Sequence, residues 1–258
     1  MNRDFFHQQR NAVRDAYAKG LGCAPDAFEN EQLTIVDRPA DAAWPYTTAA
    51  VTFGTGTALS VDPEYRAFAE ATAPAKHYRV MYAVLMQKIV DEGARRGITL
   101  AYQTPMLGFA LSAPPEAEAL PAGFRIETVG ADWMLAEMPR GRFTNGIGDA
   151  DDGEMRSSRN RFGCVVFDGG GEPAAVAGVF TTFSLYEIGI DVLREHRGRG
   201  LARIAVAAAA REVLARGETP YYACAATNIR SQRTAAACGF VPVLSDAWVF
   251  PDRRAPEL

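Results

Sequence analysis

The stretch REHRGRGLARIAVAAAAREVL, from Arg194 to Leu214, decides how this chain folds and where its chemistry lies. Its opening, Arg194 to Gly200, packs two glycines, three arginines and a histidine together before an alanine-rich run of good helix formers. A helix beginning at about Gly200 leaves its first backbone N–H groups without intrahelical acceptors, at the positive end of the helix dipole. Gly198 and Gly200 remove Cβ atoms where an anion's oxygens approach the main chain, while Arg197 and Arg199 add charge-assisted donors. One such bond is worth roughly 1.5–3 kcal/mol and the dipole adds about 0.3–1, so the pattern reads as a diphosphate site that needs no metal. The competing reading is a turn that joins strand to helix with its arginines solvated. Two familiar phosphate loops are excluded: Arg203 stands where G-x-G-x-x-G needs a third small residue, and no Gly-Lys-Ser/Thr follows a four-residue spacer.

Working outward, LYEIGIDV (Leu185 to Val192) reads as the strand entering this loop, and PYYACAAT (Pro220 to Thr227) as the strand leaving its helix. A short helix, IRSQRTAAACG, and a closing strand pair within FVPVLSDAWVF follow. Upstream, FRIETVG alternates as a strand, ADWMLAEM reads as a short helix, and FGCVVFD and AAVAGVFTTFS flank GGGEP as a hairpin. Strands interleaved with two late helices predict an α/β or α+β domain, a mixed sheet with helices on its faces.

The segment LSAPPEAEALPAGF, Leu111 to Phe124, lacks an apolar period and suits an exposed connection, giving an N-terminal α/β domain over 1–118 and a second domain over 121–258. The first half predicts a helix from about Asp4 to Lys19 and a strand pair around YTTAAVTFGTGTALSV. A helix over about His77 to Arg96, with Met81, Val84, Leu85 and Ile89 on one face, precedes a strand ITLAYQ. SVDPEYRAF (Ser60 to Phe68) echoes DVLREHRGR (Asp191 to Arg199): each places Val five residues, and Glu two residues, before Arg. Such an echo marks either chance or a duplicated fold whose first copy lacks the glycines.

With 258 residues, a formal net charge of −4 and a pI of about 5.5, the chain offers no general attraction to nucleic acid or anionic membranes. No basic stripe with stacking aromatics appears. No apolar run approaches the roughly 20 residues of a membrane span, and charges interrupt the start, so a soluble cytoplasmic protein is expected. Cys23, Cys164, Cys224 and Cys238 form no C-x-x-C pair and are joined by only three histidines, so buried thiols are expected rather than a zinc site or a disulfide frame.

Arg197, Gly198, Arg199, Gly200, Leu201 and Ala202 read R-G-R-G-L-A, and a strand ending at Val192, a helix, a strand closing on Asn228 and then Cys-Gly-Phe at Cys238 to Phe240 follow in order. In this order the chain resembles the GCN5-related N-acetyltransferase (GNAT) superfamily over about Pro121 to Val249. The family's acetyl-CoA loop has the pattern R/Q-x-x-G-x-G/A. The resemblance implies a mostly antiparallel mixed sheet flanked by helices, and acetyl-CoA as acyl donor, held by Arg197 through Ala202 with Asn228 and Ser231 toward the pantetheine arm. It implies an oxyanion donor in the main chain around Val192 and Leu193, and no metal. Asn228 is equally a good helix N-cap. The first half is loosely similar to the extra domain of two-part members, which implies an arrangement and no particular substrate; a degenerate copy of the same fold is one reading of it, chance similarity the other.

Transfer from a thioester to an amine also needs a base and an acid. Glu187 and Asp191 share one face of their strand with Leu185 and Gly189, and partial burial would raise a carboxylate toward neutrality. Glu187 stands where many family members carry their acid and is the expected base, against the plainer reading of a surface glutamate. The family's usual tyrosine, seven residues after Asn228, is Ala235, so the proton source is left open between Tyr222 or Tyr221 on the preceding strand, Cys224 less well, and water; Tyr222 is the residue named for the role, against a core role. His196 is assigned no chemistry. The loop Asn145 to Asn160 carries Asp149, Asp151, Asp152 and Glu154, which suit either attraction of a cationic amine or a solvated surface; its spacing fails the calcium-loop pattern. The expected function is therefore N-acetyl transfer from acetyl-CoA to an amine of a small molecule, peptide or protein. The alternative is a CoA-binding regulatory or structural protein without catalysis, suggested by Ala235. A homodimer is the oligomer to test.

Overall fold

The computed structural model describes residues 2–103, 105–148 and 160–251. Contacts group the chain into two units: Met1–Arg10, Phe109–Ala223 and Asn228–Val241 in the first; Asn11–Gly108, Cys224–Thr227 and Pro242–Leu258 in the second.

The second unit takes most of α1 (Arg3–Leu21), then β1 (Leu33–Asp37), β2 (Thr48–Thr52), β3 (Thr57–Val61), α2 (Arg66–Thr72), α3 (Ala83–Arg95) and β4 (Leu100–Tyr102). β1 runs parallel and β2 antiparallel to β3. The helix expected over His77 to Arg96 is broken. Tyr82 is extended (φ −77, ψ 141) and separates a 3-10 turn, His77–Met81, from α3. The break shifts the buried stripe to Leu85, Met86 and Ile89, leaving Val84 65% exposed instead of in the core. Gly93 on that stripe is required: a Cβ there would lie 2.6 Å from the Leu100 side chain.

The first unit takes the end of β5 (Met106–Leu111), then β6 (Arg125–Gly130), α4 (Ala131–Glu137), β7 (Asn160–Phe167), β8 (Pro173–Thr182), β9 (Leu185–Val192), α5 (Leu201–Ala215), most of β10 (Pro220–Ala225) and α6 (Ile229–Ala237). Its strands lie in the order β6-β7-β8-β9-β10, antiparallel except for β9 with β10, so the sheet is mixed and mostly antiparallel as expected. The β7–β8 hairpin closes because Asp168 Oδ1 accepts from Gly170 N at 2.9 Å and Glu172 N at 3.0 Å, while Gly171 supplies φ +87. α5 buries Leu201, Ile204, Val206 and Val213 with several alanines. Each fully buried valine contributes about 1.5–3 kcal/mol, and the alanines let the helix lie close to the sheet.

The last strand, β11 (Phe240–Pro251), is one continuous strand where a closing pair was expected. Ser245 to Val249 pairs antiparallel with β2, and Asp246 is buried and accepts from Tyr17 Oη at 3.2 Å. Strands β1 and β5 carried no turn signal strong enough to announce them. No helix among the described residues is long and apolar enough to cross a membrane.

Candidate active site

β9 ends at Val192, a 3-10 turn spans Arg194–His196, and α5 starts after Gly200. Gly198 and Gly200 both have φ +78, where a Cβ is disfavoured, and nothing lies within 4 Å of the position a Cβ would take on either. The first bond of α5 runs from Ile204 N to Gly200 O at 3.2 Å, so the amides of Leu201, Ala202 and Arg203 have no intrahelical acceptor. Arg197 through Gly200 are exposed, Ala202 is half-buried, and the buried Leu201 side chain anchors the helix start. The stretch is thus an exposed run of main chain at a helix's positive end.

The two loop arginines are each tethered. Arg197 Nε donates to Val192 O at 3.1 Å, folding the side chain back toward the strand end, and Arg199 lies 5.7 Å from the Phe124 ring centre. Phe124 also meets the His196 ring edge-on at 5.7 Å, and His196 Nε2 lies 3.7 Å from Asp168 on the hairpin turn. His196 therefore braces the loop. Phe124, read from sequence as the end of a linker and the start of a strand, is the ring that meets both.

β9 and β10 pair only at Tyr186 with Pro220 and Glu187 with Tyr221. Tyr186 N donates toward β10, to Thr219 O at 3.0 Å, and Leu193 N donates toward β8, to Ala174 O at 3.0 Å. Strand periodicity then turns the amides of Ile188, Ile190 and Val192 to the β10 side, and those of Ile190 and Val192 lie past the last paired residue. Of the two main-chain positions expected to supply an oxyanion donor, Val192 faces this gap; the Leu193 amide is already bonded to Ala174.

Glu187 is half-buried opposite Phe180 on β8 and Tyr221 on β10. Asp191, its neighbour on the same face, accepts from Asn145 N and Asn145 Nδ2, both at 2.7 Å, and from Gly146 N at 3.0 Å. Sequence reasoning missed this clamp, although Gly178 and Gly189, two glycines inside strands, signalled a close backbone approach. They are cross-strand partners, and Cβ atoms there would lie 1.6 Å from Gly146 O and 1.9 Å from Asn145 O.

Tyr222 is 1% exposed, packed against Phe109 and Phe240, and its hydroxyl lies 2.7 Å from Ser231 Oγ. Asn228 Oδ1 accepts from Ser231 N at 3.1 Å and so caps α6, the N-cap role foreseen for it. Ala235 is buried on the same helix. The thiols of Cys164 and Cys238 are buried, and burial pushes them up to about 11 and about 12. Burial likewise pushes Cys23 up to about 11. All four cysteines are unbridged. Asp149, Asp151, Asp152 and Glu154 lie outside the described residues. Among the described residues, no group of three or more His, Cys, Asp or Glu side chains is placed to hold a metal ion.

A family model described as the acetyltransferase (GNAT) family matches residues 132–240, a span that holds β9, the loop, α5, β10 and α6. Over those residues the chain is similar to that family. Solved structures similar to this chain include a Drosophila protein, 18% identical over 97% of this chain and 91% of that one with a TM-score of 0.53. A GCN5-related N-acetyltransferase-like protein from Streptococcus suis is 17% identical over 94% and 99%, with a TM-score of 0.49. A GCN5-related N-acetyltransferase from Kribbella flavida is 16% identical over 94% and 95%, with a TM-score of 0.46. The first of these shows a likeness of fold. No curated protein matches the sequence.

The GNAT loop fits the diphosphate of coenzyme A. Among the described residues the amides of Leu201, Ala202 and Arg203 have no backbone acceptor, the two glycines leave the approach open, and the guanidinium groups supply positive charge.

Proposed function

We propose that this GNAT member transfers an acetyl group from acetyl-CoA to an amine of a small molecule, peptide or protein. The observation that carries the reading is the open run of amides from Gly198 to Arg203, at the end of the strand whose Val192 amide faces the β9–β10 gap. Bound there, acetyl-CoA would supply an activated thioester carbonyl. Arg197, Gly198, Arg199, Gly200, Leu201 and Ala202 would hold its diphosphate, with Asn228 and Ser231 along the pantetheine arm. The Val192 amide is the hydrogen-bond donor offered to developing negative charge on the carbonyl oxygen, and the bonded Leu193 amide contributes by fixing the strand's orientation.

Glu187 is the proposed base, taking a proton from the acceptor ammonium directly or through water. Tyr222 is the proposed proton donor, acting through Ser231: its hydroxyl is buried against Ser231 Oγ, and Ser231, unlike Tyr222, is not fully enclosed. Proton delivery would pass from Tyr222 Oη to Ser231 Oγ and on to the leaving sulfur. The same proposal assigns acyl transfer to a domain over 121–258, preceded by an N-terminal domain over 1–118, in a cytoplasmic protein.

The test combines binding with turnover. Coenzyme A at about a hundred times its Kd should stabilise the fold by about 2.7 kcal/mol, seen as a raised Tm. Gly200→Asp should abolish that rise by placing a carboxylate among the phosphate-binding amides. Incubation with acetyl-CoA and a panel of amines should release free CoA, and Glu187→Gln should lower kcat by roughly 10²–10⁴. A Tm rise that survives in Gly200→Asp refutes the site. A Tm rise with no turnover across the panel leaves the catalytically silent CoA-binding protein as the function.

A further inference from the structure

We propose that Asp191 is a positioning residue for the amine acceptor: its carboxylate fixes the turn 143–148 on the face of β9 that carries Glu187, so that the Asn145 peptide walls the acceptor's approach. This rests on the acyl-transfer reading above.

Glu187, Gly189 and Asp191 follow one another on one face of β9, each about 7 Å from the next. The Asn145 carbonyl oxygen occupies the space a Cβ of Gly189 would need, and the Gly146 carbonyl oxygen that of Gly178. A peptide therefore lies flat on two strands, next to the proposed base and one residue short of Val192. A Cβ on Gly146 would meet Val176 O at 2.7 Å, so the contact is close from both sides.

The turn does not depend on Asp191 for its hold on the fold. Phe143 and Ile147, each 2% exposed, anchor it in a core with Met134, Val165 and Val176. Its own bonds, Ile147 N to Phe143 O at 2.8 Å and Gly148 N to Thr144 O at 3.1 Å, set its shape, and Asn160 Nδ2 donates to Ile147 O at 2.9 Å. What Asp191 adds is at the exposed end. Three donors of Asn145 and Gly146 converge on one half-buried carboxylate, which fixes the peptide nearest Glu187. An acceptor amine reaching Glu187 along this face passes that peptide, so loosening it changes how the amine sits and leaves the diphosphate loop intact.

Asp191→Asn tests this, because an amide offers one oxygen to three donors and turns an NH2 group against the others. The assays use coenzyme A for calorimetry and, for kinetics, whichever of spermidine, tyramine or glycinamide the wild-type chain acetylates best. Asp191→Asn is expected to raise KM for that amine at least about tenfold with a smaller change in kcat, and to leave the Kd for coenzyme A within about twofold. Asn145→Ala, which removes one of the three bonds and retains the apolar anchors, is expected to raise the amine KM by about threefold, and it carries the test if Asp191→Asn fails to fold. An unchanged amine KM overturns the proposal. So does a parallel loss of CoA affinity and amine affinity, the mark of a merely structural carboxylate. A wild-type chain that acetylates none of the amines brings down the acyl-transfer reading itself, and the role of Asp191 with it.

Discussion

Cys164 and Cys238 carry thiols that the interior keeps neutral, and the linkage sign follows from that. Burial raises Cys164 to about 11 and Cys238 to about 12, with nearby carboxylates pushing the same way at each (Glu212 and Glu118). In the unfolded chain a thiol ionises near pH 8.5, so above that pH the unfolded state holds fewer protons than the folded one and stability falls. The contribution is complete below about pH 8.5 and is lost as pH rises toward 11–12, at roughly 1–3 kcal/mol for each thiol. Urea midpoints at about pH 8 and 10.5 should therefore separate widely in the wild type and less in Cys164→Ala, whose cavity cost is the same at both pH values. An equal separation in both chains would assign the alkaline loss to other groups. Burial of these thiols was readable from spacing and the scarcity of histidine. The clamp at Asp191 was not, because its three donors come from a segment 45 and 46 residues away in sequence. Only the strand glycines at 178 and 189 hinted at it.

Among the elements, those around the loop follow local rules and were legible. β9 ends at Val192, the arginine- and glycine-rich turn follows, and α5 begins where alanine takes over. α6 is similar: Asn228 closes β10's exit and caps the helix through Ser231 N. Asn228→Ala should cost about 1 kcal/mol in global stability by the ordinary value of an N-cap, measurable by chemical denaturation. It should also free the first turn that carries Ser231, whose Oγ pairs with Tyr222. If the cap is the whole role, CoA affinity is unchanged once stability is matched; a larger loss of affinity than of stability shows a ligand contact. Elements set by tertiary contact were less readable. β11 absorbs a Ser-Asp pair into a strand because Tyr17 and β2 meet it there, and the helix after His77 breaks at Tyr82 although its apolar period continues across the break.

Taken whole, the chain repeats one arrangement with opposite chemical outcomes. β3 ends at Val61, a 3-10 turn spans Pro63–Tyr65 and Arg66 follows; β9 ends at Val192, a 3-10 turn spans Arg194–His196 and Arg197 follows. Each of these strands has one parallel and one antiparallel neighbour, β1 and β2 in one unit, β10 and β8 in the other. The echo read from Val and Arg spacing thus recurs in the backbone at the two strand ends. The turn after β3 lacks the open loop of the turn after β9. α2 starts at Arg66 itself, with no glycine pair before it, and the guanidinium is spent on Glu70 at 2.9 Å, Asp37 at 3.1 Å and Ile35 O at 3.2 Å. Two carboxylates around that arginine would repel a diphosphate, whereas Arg197 after β9 donates to the Val192 carbonyl and pairs with no carboxylate among the described residues. Calorimetry should therefore give one coenzyme A per chain. Arg66→Ala should leave its Kd unchanged and lower stability by at most about 1 kcal/mol, since the pairs it loses are exposed. Two equivalents bound, or a weakened Kd in Arg66→Ala, would mean that the first copy kept a function its side chains now argue against.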